Sequence, residues 1–363
     1  MIEKVLAGFG LNGTVAKFQQ FGNGLINTTW KVSGLEKEYI LQKVNTEVFL
    51  NPKDISANIL MIKHYLDQTA PEYLFIAPVL TKNGEAVFQI DGNVYRLFPF
   101  VPDSSTVDQI GHPDQAYQAA KQFGRFTKLL TGYDPLSLNI SIKDFHNLPF
   151  RVAQYHRSLK VASDSRKELA RWVIDEMERH MGIATDFAEI MREKKMTLRV
   201  VHHDTKINNV LLNTSKGEGI CVIDLDTVMP GYFISDVGDM MRTYLSPTNE
   251  EHTDRNDIMI RPEVFAAVYR GYMEEMDAIL SSSEKELFIY SGKFMIFMQA
   301  LRFLTDYLNG DIYYRISSPI HNLNRAINQI VLLNKYVESE PVFKEIMDPE
   351  NEIRYSQSTR MLQ

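Results

Sequence analysis

The chain has 363 residues, enough for two folding units with a sizeable core, and its 44% hydrophobic and 23% charged content is ordinary globular usage. A formal net charge of -7, from 39 Lys and Arg against 46 Asp and Glu, argues against a groove built to neutralise a nucleic-acid backbone. The one cysteine, Cys221, excludes an intrachain disulfide and a multi-thiolate metal site.

These features fit a reducing, cytoplasmic setting. The opening MIEKVLAGFGLNG is too weakly apolar for a secretory signal. No apolar run approaches the roughly 18 residues of a membrane span. Nothing marks an obligate protein partner.

The first hundred or so positions read as strands around one helix. Short β-rich segments at 15–18, 28–32 and 38–44 are separated by Gly22-Asn23-Gly24 and Ser33-Gly34. Residues 54–67 place Ile55, Ile59, Ile62 and Leu66 on one face, which predicts a helix entered behind Asn51-Pro52. Strands at 86–90 and 93–98 follow, joined at Asp91-Gly92, a strong hairpin signal. Pro99 and Pro102 bracket Phe100-Val101 and mark a hinge, after which the period changes. Residues 115–130 align Ala119, Phe123, Phe126 and Leu130, and 168–191, 263–280, 284–308 and 323–335 are also expected to be helical. Only 198–201, 210–212 and 219–223 read as strands here, and the polar tail after Pro349 is expected to fray.

The densest polar cluster is VVHHDTKINNVLL followed by GICVIDLDTVMPG. A hairpin around Asn213-Thr214-Ser215-Lys216-Gly217 would bring Asp204 and Asn209 near Asp224. An oxygen-rich Asn and Asp pair suits a hard cation such as Mg²⁺, while a separate carboxylate, Asp204, is free to accept a hydroxyl proton. Phosphoryl transfer from ATP requires that division of labour. The same residues could instead be turn caps and a buried polar network.

Gly22-Asn23-Gly24 offers backbone N–H groups to a phosphate, or is a plain hairpin turn; the spacing of a P-loop is missing. Leu97-Phe98-Pro99-Phe100 supplies apolar walls for adenine, its edge set against the backbone of Phe98 and Phe100, or is simply hinge core. Arg302, Asp306, Tyr307, Asp311 and Tyr313 form a polar stripe with the mixture a sugar site wants, and Arg242 is a further candidate for it. Arg302 and Asp306 share a helix face four residues apart, so an internal ion pair is the alternative.

His202-x-Asp204-x-x-x-x-Asn209 resembles the protein-kinase-like catalytic loop, with Asp224 where the metal-binding aspartate sits. The wider pattern is similar to the aminoglycoside phosphotransferase and choline kinase superfamily, and within it to the bacterial N-acetylhexosamine 1-kinases. The narrower likeness rests on Gly24-x-Ile26-Asn27-Thr28-Thr29, Tyr39-Ile40-Leu41-Gln42, Asp204-Thr205-Lys206-x-Asn208-Asn209, Ile223-Asp224-Leu225-Asp226-Thr227-x-Met229-Pro230-Gly231 and the segment from Arg302 through Asp306-Tyr307-Leu308 to Gly310-Asp311-x-Tyr313.

The resemblance implies an α+β, bilobal, protein-kinase-like fold: a small antiparallel-sheet lobe over 1–99 that binds the nucleotide, and a larger, mostly helical lobe over 100–363 that carries catalysis and the sugar. It implies ATP- and Mg²⁺-dependent phosphorylation of the anomeric hydroxyl of an N-acetylhexosamine, GlcNAc or GalNAc. A kinase of the same fold acting on an aminoglycoside, choline or homoserine is the alternative, and a kinase-like binding module without catalysis is another.

Carried over by position, Asp204 matches the catalytic carboxylate, Asn209 and Asp224 the metal ligands, and Asp236 the residue that holds the loop from below. Lys206 reaches the transferring phosphoryl group or is a surface charge; Asp226 adds a metal contact or braces the loop. Gly22, Gly24, Asn27, Gln42, Phe98 and Phe100 fall to the nucleotide. Two departures stand out. Gln42 takes the slot of the strand lysine, which turns Lys43 to the opposite face, and the following helix offers Asn58 and Leu60 where a partner glutamate is expected.

Overall fold

The computed structural model describes residues 2–11, 17–22, 27–34 and 36–348. The start of the strand expected at 15–18, Gly24 of the glycine turn and the tail after Pro349 lie outside the described residues. Helix α1 (Ile2–Gly8) precedes a five-stranded antiparallel sheet of β1 (Lys17–Gln20), β2 (Thr28–Ser33), β3 (Tyr39–Val44), β4 (Phe88–Ile90) and β5 (Asn93–Pro99), in the order β1-β2-β3-β5-β4. Between β3 and β4 runs α2 (Pro52–Thr69), which buries Ile55, Ile59, Ile62 and Leu66 as their spacing predicts. The turn at Asp91-Gly92 takes positive φ at both residues, which suits Asp and Gly and closes the β4–β5 hairpin.

Alternation along β3 decides which side chains meet the cleft. Leu41 packs with Val32, Tyr95 and Leu97 against Val5, Leu6 and Phe9, a small core under α1. Gln42 therefore points the other way, opposite Arg96 in register, while Lys43 lies opposite Tyr95.

Beyond β5 the chain is mostly helical: β6 (Ser104–Ser105), α3 (Pro113–Leu129), α4 (Leu148–Val161), α5 (Asp164–Leu169), α6 (Arg171–Arg179), α7 (Gly182–Arg192), β7 (Arg199–Val201), β8 (Val210–Asn213), β9 (Gly219–Val222), β10 (Met229–Gly231), α8 (Phe233–Tyr244), α9 (Pro262–Met276), α10 (Ser282–Glu286), α11 (Phe288–Leu308), α12 (His321–Glu338) and α13 (Glu340–Met347). The architecture is a bilobal α+β fold of protein-kinase-like topology. Helix α11 is buried almost all round and packs against α12, α8 and α4, so it forms the spine of the larger lobe. Among the described residues no helix is long and apolar enough to cross a membrane.

Some elements differ from the sequence pattern. The helix expected over 168–191 is divided into α5, α6 and α7. α6 turns Val173 and Met177 inward and α7 turns Ile183, Phe187 and Ile190 inward, while α5 buries no side chain, and Gly182 opens the last of them. The helix expected over 284–308 begins as α10, capped by a reciprocal Ser281–Glu284 box, and turns at Leu287 into α11. Strands β6 and β10, two and three residues long, carry too little pattern to be read from sequence.

Candidate active site

The polar cluster of the sequence sits where two short antiparallel pairs meet. β7 pairs with β10, and β8 with β9, so the loops leaving β7 and β9 converge. His202 joins them: it is fully buried, its Nε2 lies 2.9 Å from the Ile223 carbonyl, and its Nδ1 accepts from the Asp204 amide at 3.4 Å. Those two contacts make Nε2 the protonated nitrogen. His202 is thus a packing and bridging group, and burial holds its imidazole below the ordinary range.

Asp236, at the start of α8, accepts the backbone N–H groups of His202 at 2.9 Å and His203 at 2.7 Å. Those two bonds hold His203 at φ +67, a left-handed conformation that a non-glycine residue adopts only under constraint. Thr205 is tied on the same side, its amide donating to Asp239 at 2.9 Å and its hydroxyl to the Asp236 carbonyl at 2.7 Å.

Asp204 is left at the cleft, with its carboxylate 28% exposed and Lys206 Nζ 3.3 Å away. Burial opposes its ionisation, but Lys206 and the neighbouring His202 and Arg242 hold its carboxyl below the usual range. It is therefore an ionised acceptor. Asn209 Nδ2 donates to both the carbonyl and the carboxylate of Asp204, at 2.8 and 3.1 Å, which turns Asn209 Oδ1 away from Asp204.

The Ile223 amide donates to the Asn209 carbonyl at 2.9 Å, so Asp224 follows directly beside Asn209. Asp224 is left-handed at φ +58, and among the described residues its carboxylate has no hydrogen-bond partner. By surface area it opens to the cleft, yet protein crowds around it. That crowding and the carboxylates of Asp226 and Asp204 push its carboxyl up to about 7. A free asparagine oxygen beside an unpaired carboxylate in a field of negative charge fits a hard divalent cation.

Asp226 is spent elsewhere. It is buried, with Arg96 Nη1 and Nη2 donating to its two oxygens at 2.6 and 2.8 Å, and Asn27 Nδ2 donating at 3.2 Å. Of the two readings of Asp226, the geometry is that of the brace. Arg96 was absent from the sequence-based candidates, although a lone arginine inside the apolar run Val94-Tyr95-Arg96-Leu97-Phe98 is a readable anomaly. Asn27 is equally committed, since its Oδ1 accepts the Asn45 amide at 2.9 Å. Asn58, on α2 near the level where a glutamate was expected, instead donates to the carbonyls of Asn139 at 2.9 Å and Val228 at 3.2 Å.

Gly22 has φ +75 and open space around it, a conformation that favours glycine. Phe98 lies 5.5 Å from the Arg96 guanidinium, and Phe100 is covered by Lys31 at 3.7 Å. The Phe100 amide does not face a free adenine edge, because it donates to the Glu38 carbonyl at 3.0 Å.

The acceptor stripe divides. Asp306 does not pair with Arg302: its carboxylate accepts the amides of Ile312, Tyr313 and Tyr314 at 3.0, 2.8 and 2.9 Å, and Asn322 Nδ2 at 3.0 Å. Tyr307 is buried beneath Arg166, which also donates to Asp311 at 2.8 Å. Three of the five residues therefore fix the connection between α11 and α12 rather than present free groups, because a loop that turns so tightly leaves amides that only a local carboxylate can satisfy. Tyr313 is 65% exposed. Arg242 is buried between Asp239 at 2.9 Å and Glu250 at 2.6 Å.

Arg302 is different. Its Nη1 meets Gln299 at 3.0 Å, and its guanidinium lies 5.2 Å from the Phe145 ring and 5.7 Å from Tyr314. Phe145 stacks on His146 at 4.3 Å, and His146 stands 5.2 Å from His203, which precedes Asp204. Neighbouring rings thus link the buried His203, next to Asp204 in the chain, through His146 and Phe145 to Arg302. Phe145, His146 and Tyr314 were missed from sequence because they sit in loops without periodicity.

The sequence profile of the phosphotransferase enzyme family, APH, matches residues 17–274, more than half of the chain. Among solved structures, a microcompartment-associated aminopropanol kinase is similar with a TM-score of 0.63 at 15% identity, covering 94% of this chain and 98% of that one. Spectinomycin phosphotransferase in complex with ADP and spectinomycin gives 0.53 at 16%, covering 99% and 97%. Ethanolamine kinase from Plasmodium vivax gives 0.56 at 14%, covering 90% and 86%. With the fold, the loop geometry and the sequence profile in agreement, the chain belongs to the phosphotransferase enzyme family, the small-molecule kinases of the aminoglycoside phosphotransferase and choline kinase fold.

Proposed function

We propose that the protein transfers the γ-phosphoryl group of ATP to the anomeric hydroxyl of an N-acetylhexosamine, GlcNAc or GalNAc, giving the sugar 1-phosphate. In this reading residues 1–99 form the nucleotide lobe and 100–363 the catalytic and sugar lobe, hinged at Pro99 to Pro102, in the cytoplasm where ATP is supplied. Asp204 accepts the proton of the attacking hydroxyl and orients its oxygen, an effect that acts in the transition state. Asn209 Oδ1 and the Asp224 carboxylate hold Mg²⁺, which when bound neutralises phosphate charge. Lys206, beside Asp204, stabilises charge on the group in transfer. Gly22 lies over the phosphates, and Phe98 and Phe100 flank the adenine.

The observation that carries the acceptor is the ring shelf ending at Arg302. Aromatic faces cover sugar rings, and a guanidinium donates to an amide carbonyl. Tyr313, exposed on the adjoining loop, closes over the ring, while Asp306, Tyr307 and Asp311 keep that loop in place and Arg242 holds Glu250 at the rim. The shelf is also cationic. Burial and the neighbouring Arg302 push the Arg151 guanidinium down to about 10. Positive charge at this spot disfavours choline and aminoglycosides, the alternative acceptors, more than it disfavours homoserine or a neutral sugar.

A phosphorylation screen with ATP and Mg²⁺ over N-acetylhexosamines, hexoses, choline, homoserine and kanamycin tests this. GlcNAc or GalNAc should lead, phosphorus NMR should place the phosphate on the anomeric oxygen, and Asp204→Asn should lower kcat about 100-fold or more. A 6-phosphate product, or robust choline or kanamycin turnover without sugar turnover, would sink the sugar 1-kinase reading and leave the family membership standing.

A further inference from the structure

Arg96 and Gln42 face each other across β5 and β3, and the chemistry of one decides the orientation of the other. Arg96 is fully buried, and its Nη2 lies 3.1 Å from Gln42 Oε1. A guanidinium has donors only, so the Gln42 atom that faces it is the carbonyl oxygen and never the NH2 group. The two Asp226 oxygens fix the guanidinium in turn, at 2.6 and 2.8 Å. Gln42 Nε2 is thereby turned out of this network, and among the described residues it has no hydrogen-bond partner. Gln42 itself is only partly buried, so the amide NH2 is open to the cleft.

We infer that Arg96 is a positioning residue that locks the Gln42 amide, so that β3 offers the nucleotide phosphates a neutral group with its donors outward. The inference rests on the nucleotide-site reading above. Arg96 contributes no free charge of its own, because Asp226 neutralises it. A glutamine free to flip would present its acceptor oxygen to phosphate about as readily as its donors; the lock removes that orientation.

Calorimetric titration of the full-length protein with ADP, without metal and then with Mg²⁺, tests this without reliance on turnover. Gln42→Ala should raise the ADP Kd about 10-fold, the value of one hydrogen bond to a charged group. Gln42→Glu should raise it at least about 10-fold further, because a carboxylate would then face phosphate, and the added penalty should shrink with salt. Its melting temperature should not fall, since Arg96 can pair with the new carboxylate.

Arg96→Lys keeps a charge for Asp226 but cannot hold both partners in one planar fork. It should weaken ADP binding in the parent and add little on top of Gln42→Ala. Equal ADP affinity for Gln42→Glu and Gln42→Ala, or additive losses in the double variant, would overturn the inference while the nucleotide site stands. A parent protein that binds no ADP would sink the nucleotide-site reading and this inference with it.

Discussion

His203 illustrates how one residue couples backbone strain to charge. Its amide is held by Asp236, and its ring lies so close to Gly231 that a Cβ there would come within 2.4 Å of Nε2. Burial depresses the imidazole to about 4, so the folded protein excludes a proton that the unfolded chain binds near 6.5. A depressed folded value means the stabilisation is complete above the unfolded pKa and is lost as pH falls towards the folded one. His203→Gln, which cannot titrate, should therefore be less disadvantaged at low pH. Denaturant unfolding of both proteins should show the parent's advantage shrinking by about 2 kcal/mol between pH 7 and pH 5. A constant difference across that range would show that the ring is not the group excluding the proton.

Among the elements, α8 links the site to the spine. Its first turn supplies Asp236 to the loop around Asp204, and Gly238, two residues later, lies against α11 where an added Cβ would meet the Ser291 carbonyl at 2.3 Å. Neither backbone can yield as a flexible side chain would. Gly238→Ala should then destabilise the fold by about 1–3 kcal/mol, despite alanine's better helix propensity. It should also reduce turnover at temperatures well below melting, because α8 carries Asp236 with it. A raised unfolding midpoint would mean that the helices separate without cost and that propensity dominates.

At the scale of the whole molecule, and among the described residues, the two lobes are tied by a neutral buried side chain and by a buried, mutually neutralising ion pair. Asn58 Oδ1 accepts the Asn139 amide at 2.8 Å while its Nδ2 reaches across to Asn139 and Val228 carbonyls, so one buried side chain ties α2 to the segment after Asp224. The Arg96–Asp226 pair and Asn27 make a second tie, from the sheet to the same segment. Asn58→Ala should cost about 2–4 kcal/mol, since several buried backbone groups lose their partner together. Hydrogen exchange at Val228 and Met229 should quicken by more than at α12, which is remote from the contact. Uniform quickening would indicate global destabilisation instead of a released tie.

Much of this was legible in the chain order of the residues. The apolar face of α2, the Asp91-Gly92 hairpin and the spacing from His202 through Asp204 to Asn209 depend on neighbours within a few positions, where periodicity and turn chemistry speak directly. Asp236 was readable because its offset from Asp224 matched a known loop. Other features arose only when distant segments met. Arg96 finds Asp226 across 130 positions, and nothing local to either indicates the other. Asp306 and Arg302 had the spacing of an ion pair, yet unsatisfied amides in the turn after α11 claimed the carboxylate first. Phe145 and His146, in an aperiodic loop, reach His203 only because the packed fold carries that loop to the segment before Asp204. Local sequence determined most of the elements and the spacing of His202, Asp204 and Asn209, because those are short-range features. Tertiary packing decided which polar groups remain free for a ligand, because each donor and acceptor bonds to whatever partner the fold brings within reach.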